Sequence, residues 1–481
     1  MSKRVAHHLV GLGMFICVPV LLSTTACAIG TKYARPETPT PPAYREPPPS
    51  GWTTAQPNDA ALRGEWWRMF NEPALDALED QVNISNQNVI AAEAQYRAAR
   101  AAVRVAAADR YPTVTAAPSA THAGGGAAQH HGDLYDVPLD VSYEADVWGS
   151  IRRSVAANAA VAQASAADLE SARLLYQSEL ASDYFQVQGL DADRVLLEQT
   201  VRSYEQYLQL TQDRFQGGVV SMADVALAQT QLEGARAQLT DVGIARAQFE
   251  HAIAVLTGHA PSELSIPPAS TEPVPPTVPV GLPSSLLERR PDIAAAERRV
   301  AAANQQIGVA KAAFYPVISL GGSAGAQAVA IADLFASPTG LWSVGVQVAA
   351  TLFDGGRRRA QVKVTEAGYD TTVANYKETV LTGFQQVEDA LADLRILTQE
   401  TEIVDRAVVA AQQSLDISTT QYRGGLANYL QVITAQTSLL QNQRESVDLH
   451  TRRLLGSVSL IQALGGGWSA SQLPTTQEVR R

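Results

Sequence analysis

The sequence predicts an α+β membrane protein in which one structural unit occurs twice: helix, strand, strand, long helix, returning helix. Three observations predict it. Blocks of the first half recur in the second at an offset of 204 to 207 residues. Two proline-free runs of about sixty-five residues are long enough for rods of about 100 Å at a 1.5 Å rise per residue. Each half also holds two segments of period-two patterning, about ten residues each, which is enough to cross a bilayer when tilted.

Composition bounds the class. The 481 residues are 46% hydrophobic and 18% charged, so the chain can bury a sizeable core. After the N-terminus no run of eighteen apolar residues occurs, which excludes a bundle of transmembrane helices. The net charge of −11 argues against nucleic acid as a partner, because phosphate binding needs a basic face. There is no P-loop, G-x-S-x-G, H-E-x-x-H or dinucleotide fingerprint, so the chain is not expected to be an enzyme, and no cofactor is expected.

Residues 1–26 read as a secretory signal. Lys3 and Arg4 supply the positive start, Leu9 to Leu22 the apolar run, and Ser23 to Ala26 the small residues before the cut. Two processing readings stand. Cys27 follows small residues as in a lipobox, though Thr24 stands where leucine is usual; alternatively Ala26-Cys27-Ala28 fits ordinary cleavage after Ala28. Lipid attachment at Cys27 is favoured, because Cys17 lies within the signal and Cys27 would be the sole mature cysteine. No disulfide can then form within the mature chain. Residues 27–60 are rich in proline and threonine and are expected to be extended.

The first repeat spans residues 61–260 and the second 284–466, joined by a Pro-rich linker at 261–283, with a tail at 467–481. Asn88 to Glu93 answers Asp292 to Glu297, and Tyr111-Pro112 answers Tyr315-Pro316, both at an offset of 204. Phe215-Gln216-Gly217-Gly218 answers Tyr422-Arg423-Gly424-Gly425, and Gly258 answers Gly465, at 207. A duplication this long means two copies of one unit. Each unit opens with a heptad helix: Ile293, Val300 and Ile307 lie seven apart, as do Val89, Tyr96 and Val103. Alanines at the d positions permit close helix approach with little burial per layer. The prolines at 112 and 316 end these helices. Strands are expected at about 113–122 and 137–147, then at about 317–326 and 341–353, joined by Gly- and Ala-rich loops. In the last, Trp342, Val344, Val346 and Val348 share one face. The long helices follow, from about Ile151 to Phe215 and from Arg357 to Tyr422. Gly-Gly turns end both, and shorter helices return.

Four strands cannot cross a membrane as an open sheet, since each unpaired edge amide costs several kcal/mol in lipid. They are also too few to close around water, because the smallest membrane barrels have eight strands and filled interiors. The chain must therefore associate with others. The competing architecture is a periplasmic coiled-coil scaffold or adaptor without a barrel, but that would not carry two strand hairpins, each between heptad helices.

Specific motifs sharpen the reading. Cys27 to Pro36, Trp66-Trp67-Arg68-Met69-Phe70, and above all Leu282-Pro283-Ser284-Ser285-Leu286-Leu287-Glu288-Arg289-Arg290-Pro291-Asp292-Ile293 continuing to Phe314-Tyr315-Pro316, cover the mature chain. Leu352-Phe353-Asp354-Gly355-Gly356 and Tyr422 to Leu426 add to them. With these, the chain resembles the TolC/OprM outer-membrane factor family, within it the NodT-type efflux lipoproteins. The resemblance implies a homotrimer, a twelve-stranded β-barrel continued by a long α-helical coiled-coil barrel, in the outer membrane of a Gram-negative bacterium. It implies a passive exit duct for drugs or other small molecules. An inner-membrane pump of the resistance-nodulation-division type and a periplasmic adaptor, or membrane fusion protein, are the implied partners.

Candidate sites follow. Gly217-Gly218 and Gly424-Gly425 are helix-terminating turns; in the family such turns form the tips gripped by the adaptor, which points to Val219, Leu426, Asn428 and Tyr429 as contacts. Leu415, Asp416 and Thr419, near the end of the second long helix, are candidate periplasmic gate residues, since carboxylates repeated around a threefold axis repel; the competing reading is a solvated face. Trp148, Trp342 and Phe353 fit either an aromatic belt or packing at a sheet–helix junction. Trp66 and Trp67 read as core anchors. His130-His131 lacks the further ligands a metal needs. Glu288, Arg289, Arg290 and Asp292 read as a salt-bridge network at a helix start.

Overall fold

The computed structural model describes residues 29–47, 64–124, 132–268, 273–278, 280, 283–336 and 339–480. Its elements fall twice in the same order. The first unit has α1 (Pro73–Ser85), α2 (Gln87–Ala108), β1 (Thr113–Ala116), β2 (Ser119–Ala123), β3 (Gly132–Glu144), α3 (Ser150–Gln216) and α4 (Met222–Leu256). The second has α5 (Pro283–Arg289), α6 (Pro291–Ala312), β4 (Val317–Ala328), β5 (Gly340–Ala349), α7 (Arg357–Arg423) and α8 (Tyr429–Ala463). The long helices α3 and α7 have 67 residues each, and the returning α4 and α8 have 35 each. Near the sheet, α3 packs against α2 and α6; farther along it packs against α4 and α8, while α7 is flanked by α6 and α8.

The strands depart from the expected spans at three places. The first is broken into β1 and β2 at Ala117-Pro118, and both pieces pair with β3. Ala116 pairs with Leu139 and Ser119 with Asp136, so the break lies opposite Val137-Pro138. Neither proline has an N–H to give the ladder, which accounts for the interruption. The next strand begins earlier, at Gly132, and ends at Glu144 rather than 147. β5 stops at Ala349, and 350–353 are not strand. Gly325 sits opposite Pro138, and a Cβ there would lie 2.4 Å from the Val137 carbonyl oxygen. Only glycine allows β4 to approach β3 at that point.

The main core lies along the rods, away from the sheet. Trp66 and Trp67 are fully buried, edge-on at 5.9 Å, and pack with Leu180, Phe185, Ile293 and Phe384 from three helices. The anchoring role read from the sequence is what the structure gives them. In the heptad helices Val89, Val103, Ile293, Val300 and Ile307 are buried, as are the seam alanines Ala106 and Ala296, whereas Tyr96, Ala92, Ala99, Ala303 and Ala310 are half-buried.

The duplication is visible in a joint made twice. Gly258, after α4, and Gly465, after α8, both have positive φ, +77° and +91°. A Cβ would lie 2.6 Å from Ser85 O at the first and 2.1 Å from Arg289 O at the second, the last residues of α1 and α5. The next residue then reaches back: Asn86 Nδ2 donates to Leu256 O at 2.9 Å, and Arg290 Nη1 donates to Ala463 O at 3.0 Å. An amide in one copy and a guanidinium in the other thus satisfy the same orphan carbonyl at a helix end.

Candidate conduit and rod-end sites

The pairing register sorts the sheet into two faces. Tyr143 pairs with Leu320 and Leu320 with Val346; Leu139 pairs with Ala324 and Ala324 with Trp342. One face therefore carries Val114, Val137, Leu139, Val141, Leu320 and the β5 row Trp342, Val344, Val346, Val348. The opposite face pairs Asp140 with Ser323 and Ser323 with Ser343, and Glu144 with Ser319 and Ser319 with Gln347. It also carries Thr113, Thr115, Asp136 and Ser142. Both edges are open: β1 and β2 form one and β5 the other. Every residue of β5 is exposed, Trp342 at 81%. The sheet thus presents one apolar face and two edges that no strand of the described chain covers. Among the described residues no helix is long and apolar enough to cross a membrane.

Trp148 belongs to the junction, not to a belt. Its Nε1 donates to Pro316 O at 2.7 Å and its ring stacks on Tyr315 at 4.8 Å. Trp342 and Phe353 are exposed, Phe353 beyond the end of β5.

The Gly-Gly turns are near copies. Gly217 and Gly424 both have φ of −75°. Gly218 and Gly425 both have φ of +75°. Val219 N–H donates to Arg214 O and Leu426 N–H to Gln421 O, each at 2.8 Å, closing the six-residue loop of a Schellman turn. Ser221 then caps α4 in a reciprocal box with Asp224, and Asn428 caps α8 by accepting from Gln431 N–H at 3.2 Å. Val219, Asn428 and, at 85%, Leu426 are exposed. Tyr429 corrects the expectation of a contact residue. It is 2% exposed, 5.4 Å from the Tyr422 ring, in a cluster with Ala228, Val432 and Ile433. Its bulk supports the turn from within, so a partner on the surface does not meet it.

The candidate gate residues diverge. Asp416 is exposed and accepts from Gln412 Nε2 at 2.9 Å. Leu415 is half-buried. Thr419 is 8% exposed and shares a 2.7 Å hydrogen bond with the Tyr207 hydroxyl, which ties α7 to α3. It is therefore a tie between helices and not a member of a solvent-facing ring. A groove of about 450 Å³ between α3, α7 and α8 is bordered by Tyr204, Tyr207, Leu415, Asp416, Thr419 and Gln436, among others. A second tie lies nearer the turn: Arg214 Nη1 donates to Tyr422 O at 3.0 Å, and its guanidinium sits 4.7 Å over the Tyr422 ring. Tyr207 and Arg214 carried no motif in the sequence, since both lie on a uniform heptad surface.

The extended N-terminal segment was also missed as a structural part. Ile29 N–H donates to Trp148 O at the junction. Tyr33 bonds Glu297, Arg35 Nε donates to the Tyr376 hydroxyl at 3.0 Å, and Glu46 accepts from Arg395 at 2.8 Å. The segment is thus a strap running from the sheet end to the middle of α7. Of the four residues read as a helix-start network, Arg290 and Asp292 pair at 2.6 Å. Cys27, His130 and His131 lie outside the described residues. Among those described, no group of three or more metal-ligating side chains occurs.

The outer membrane efflux protein family matches residues 78–259 and 282–466. The chain is 30% identical over 470 residues to the pyoverdine export outer membrane protein OpmQ of Pseudomonas putida, covering 94% of this chain and 97% of that one. It is 31% identical over 451 residues to the toluene efflux pump outer membrane protein TtgC of Pseudomonas putida, covering 92% and 93%. Among solved structures, the outer-membrane channel OprN superposes with a TM-score of 0.84 at 29% identity, over 92% of this chain and all of that one. The outer membrane protein VceC of Vibrio cholerae gives 0.79 at 30% identity, over 85% of this chain and 100% of that one.

Proposed function

The chain belongs to the outer membrane efflux protein family, and from that premise we propose that it is the outer-membrane exit duct of a tripartite efflux system. It is a passive channel and not an enzyme. The sheet sits in the outer membrane and the rods stand in the periplasm. Small molecules reach it from an inner-membrane pump through a periplasmic adaptor.

The observation that carries this reading is the two-faced sheet with two open edges. Lipid on the apolar face demands that every edge amide be paired, and one chain cannot pair its own edges. Three copies, edge to edge, make a twelve-stranded barrel, counting β1 and β2 as one stave. The face with Asp136, Asp140, Ser142 and Glu144 then lines the lumen. The exposed turn residues Val219, Leu426 and Asn428, with the glycines that shape their turns, are the adaptor contacts in this reading. The Tyr207–Thr419 tie is the gate element that Leu415 and Asp416 flank. In this reading the pump is of the resistance-nodulation-division type, as the sequence resemblance implies.

Lipid attachment at Cys27 gains support from position. Ile29 is held at the sheet–helix junction, and two residues of extended chain reach about 7 Å.

The test is to purify the full chain in detergent and measure its mass and its conductance in planar bilayers. A trimer with discrete ohmic openings is expected. A protein that stays soluble without detergent and never inserts would favour a periplasmic scaffold or adaptor and sink the duct.

A further inference from the structure

The level where sheet gives way to helices carries a collar that the duct function does not require. No strand of the sheet contains lysine or arginine. Cations gather immediately beyond it, at the starts of α3 and α7 and the end of α6. Several are already engaged: Arg152 with Asp146 at 3.0 Å, Lys311 with Glu366 at 3.1 Å, and Arg358 with Asp354 at 2.6 Å. Arg357, Arg359 and Lys363 are exposed, and no described carboxylate pairs with them. Arg359 and Lys363, four apart, share one face of α7. Just before them, Leu352 and Phe353 are 94% and 89% exposed.

Apolar side chains beside unpaired cations, at the rim of an apolar sheet face, match a bilayer in cross-section: acyl chains, then phosphates. We propose that Leu352, Phe353, Arg357, Arg359 and Lys363 form a collar that selects anionic phospholipids in the periplasmic leaflet. The apolar pair enters the acyl boundary while the guanidinium and ammonium groups take headgroup phosphates. Charge complementarity and continuity with the apolar face name the occupant. The inference rests on the sheet being the membrane-embedded part of the duct.

The test uses the full chain reconstituted in phosphatidylcholine vesicles containing spin-labelled phosphatidylglycerol or spin-labelled phosphatidylcholine. Electron spin resonance gives the relative association of each lipid, and conductance of the same preparation reports insertion. The wild type should prefer phosphatidylglycerol by about fivefold or more. The Arg357→Gln/Arg359→Gln/Lys363→Gln variant should lose that preference while still conducting. The Arg202→Gln/Lys377→Gln/Arg406→Gln variant, with equal charge change far along the rods, should keep it. High salt should weaken the wild-type preference. Equal association of both lipids with a conducting wild type overturns the collar and leaves the duct intact. So does a collar variant that keeps the preference, or one that loses its trimer with lipid preference unchanged, which would put these cations against a neighbouring copy. A wild type that inserts in neither mixture overturns the duct and the collar with it.

Discussion

Replacing Gly465 by alanine should destabilise the chain by about 2–4 kcal/mol, and by more than the same change at Gly258. At φ +91° an L-residue pays about 1–2 kcal/mol for its Cβ. The new Cβ would lie 2.1 Å from Arg289 O, a backbone atom that cannot turn aside, and overpacking of this kind costs about 1–3 kcal/mol. Reduced freedom of the unfolded chain returns about 0.4–1 kcal/mol. At Gly258 φ is +77° and the contact with Ser85 O is 2.6 Å, so the second contribution is smaller. Gly243, inside α4 with nothing within 4 Å of a Cβ, supplies the control. There alanine should stabilise by up to about 1 kcal/mol through helix propensity. The assay is loss of helical circular dichroism in detergent, on heating at a fixed rate and in denaturant, for all three variants. The reasoning fails if Gly465→Ala melts with the wild type, or if Gly258→Ala melts at a lower temperature than Gly465→Ala.

Three further outcomes are expected. Glu79 is fully buried, with neither carboxyl oxygen partnered among the described residues; burial first, then Asp76 and Asp80, push it well above the ordinary carboxylate range. Burial favours the protonated carboxyl, so the stability it allows is complete below the ordinary value of 4.5 and is lost as pH rises through the raised one. Glu79→Gln should therefore raise stability near pH 8 by about 1–3 kcal/mol and flatten the alkaline side of the profile; an unchanged profile would mean that the carboxyl finds a partner. Tyr207→Phe removes the bond to Thr419, worth about 1 kcal/mol, and should raise the open fraction in planar bilayers about fivefold; unaltered openings would take that tie out of the gate. Intact mass of the mature wild type should show acyl chains that Cys27→Ser lacks, whereas a lipid-free chain beginning at Ile29 would establish cleavage after Ala28.

The long elements were readable because their signals are long. Proline-free heptads and Gly-Gly turns fixed α3 and α7 to within a residue or two at each end, and alternation placed β4 and β5. The limits of the strands were not readable, because strand ends depend on partners. The break at Pro118 shows itself only when Pro138 stands across from it. Tyr429 looked like a surface contact since it neighbours an exposed turn, and only the ring of Tyr422 across the hairpin explains its burial. The paired joints were hidden for a different reason. Asn86 and Arg290 occupy equivalent places in the duplication but differ in chemistry, so similarity passes over them. The strap lay in a segment whose proline content suggested little beyond extension, and its anchors Glu297, Tyr376 and Arg395 are distant in sequence.

The matched lengths of the rods have a consequence for how such a chain can vary. Both outgoing helices have 67 residues and both returns 35, so the two turns stand level. Seven residues inserted into one helix would lift its turn by about 10 Å relative to its twin and slide its seam past the returning partner. Length in this architecture is therefore a shared quantity. It can change only if four helices change together, by whole heptads, which makes the rods resistant to the gradual insertions that ordinary loops accept.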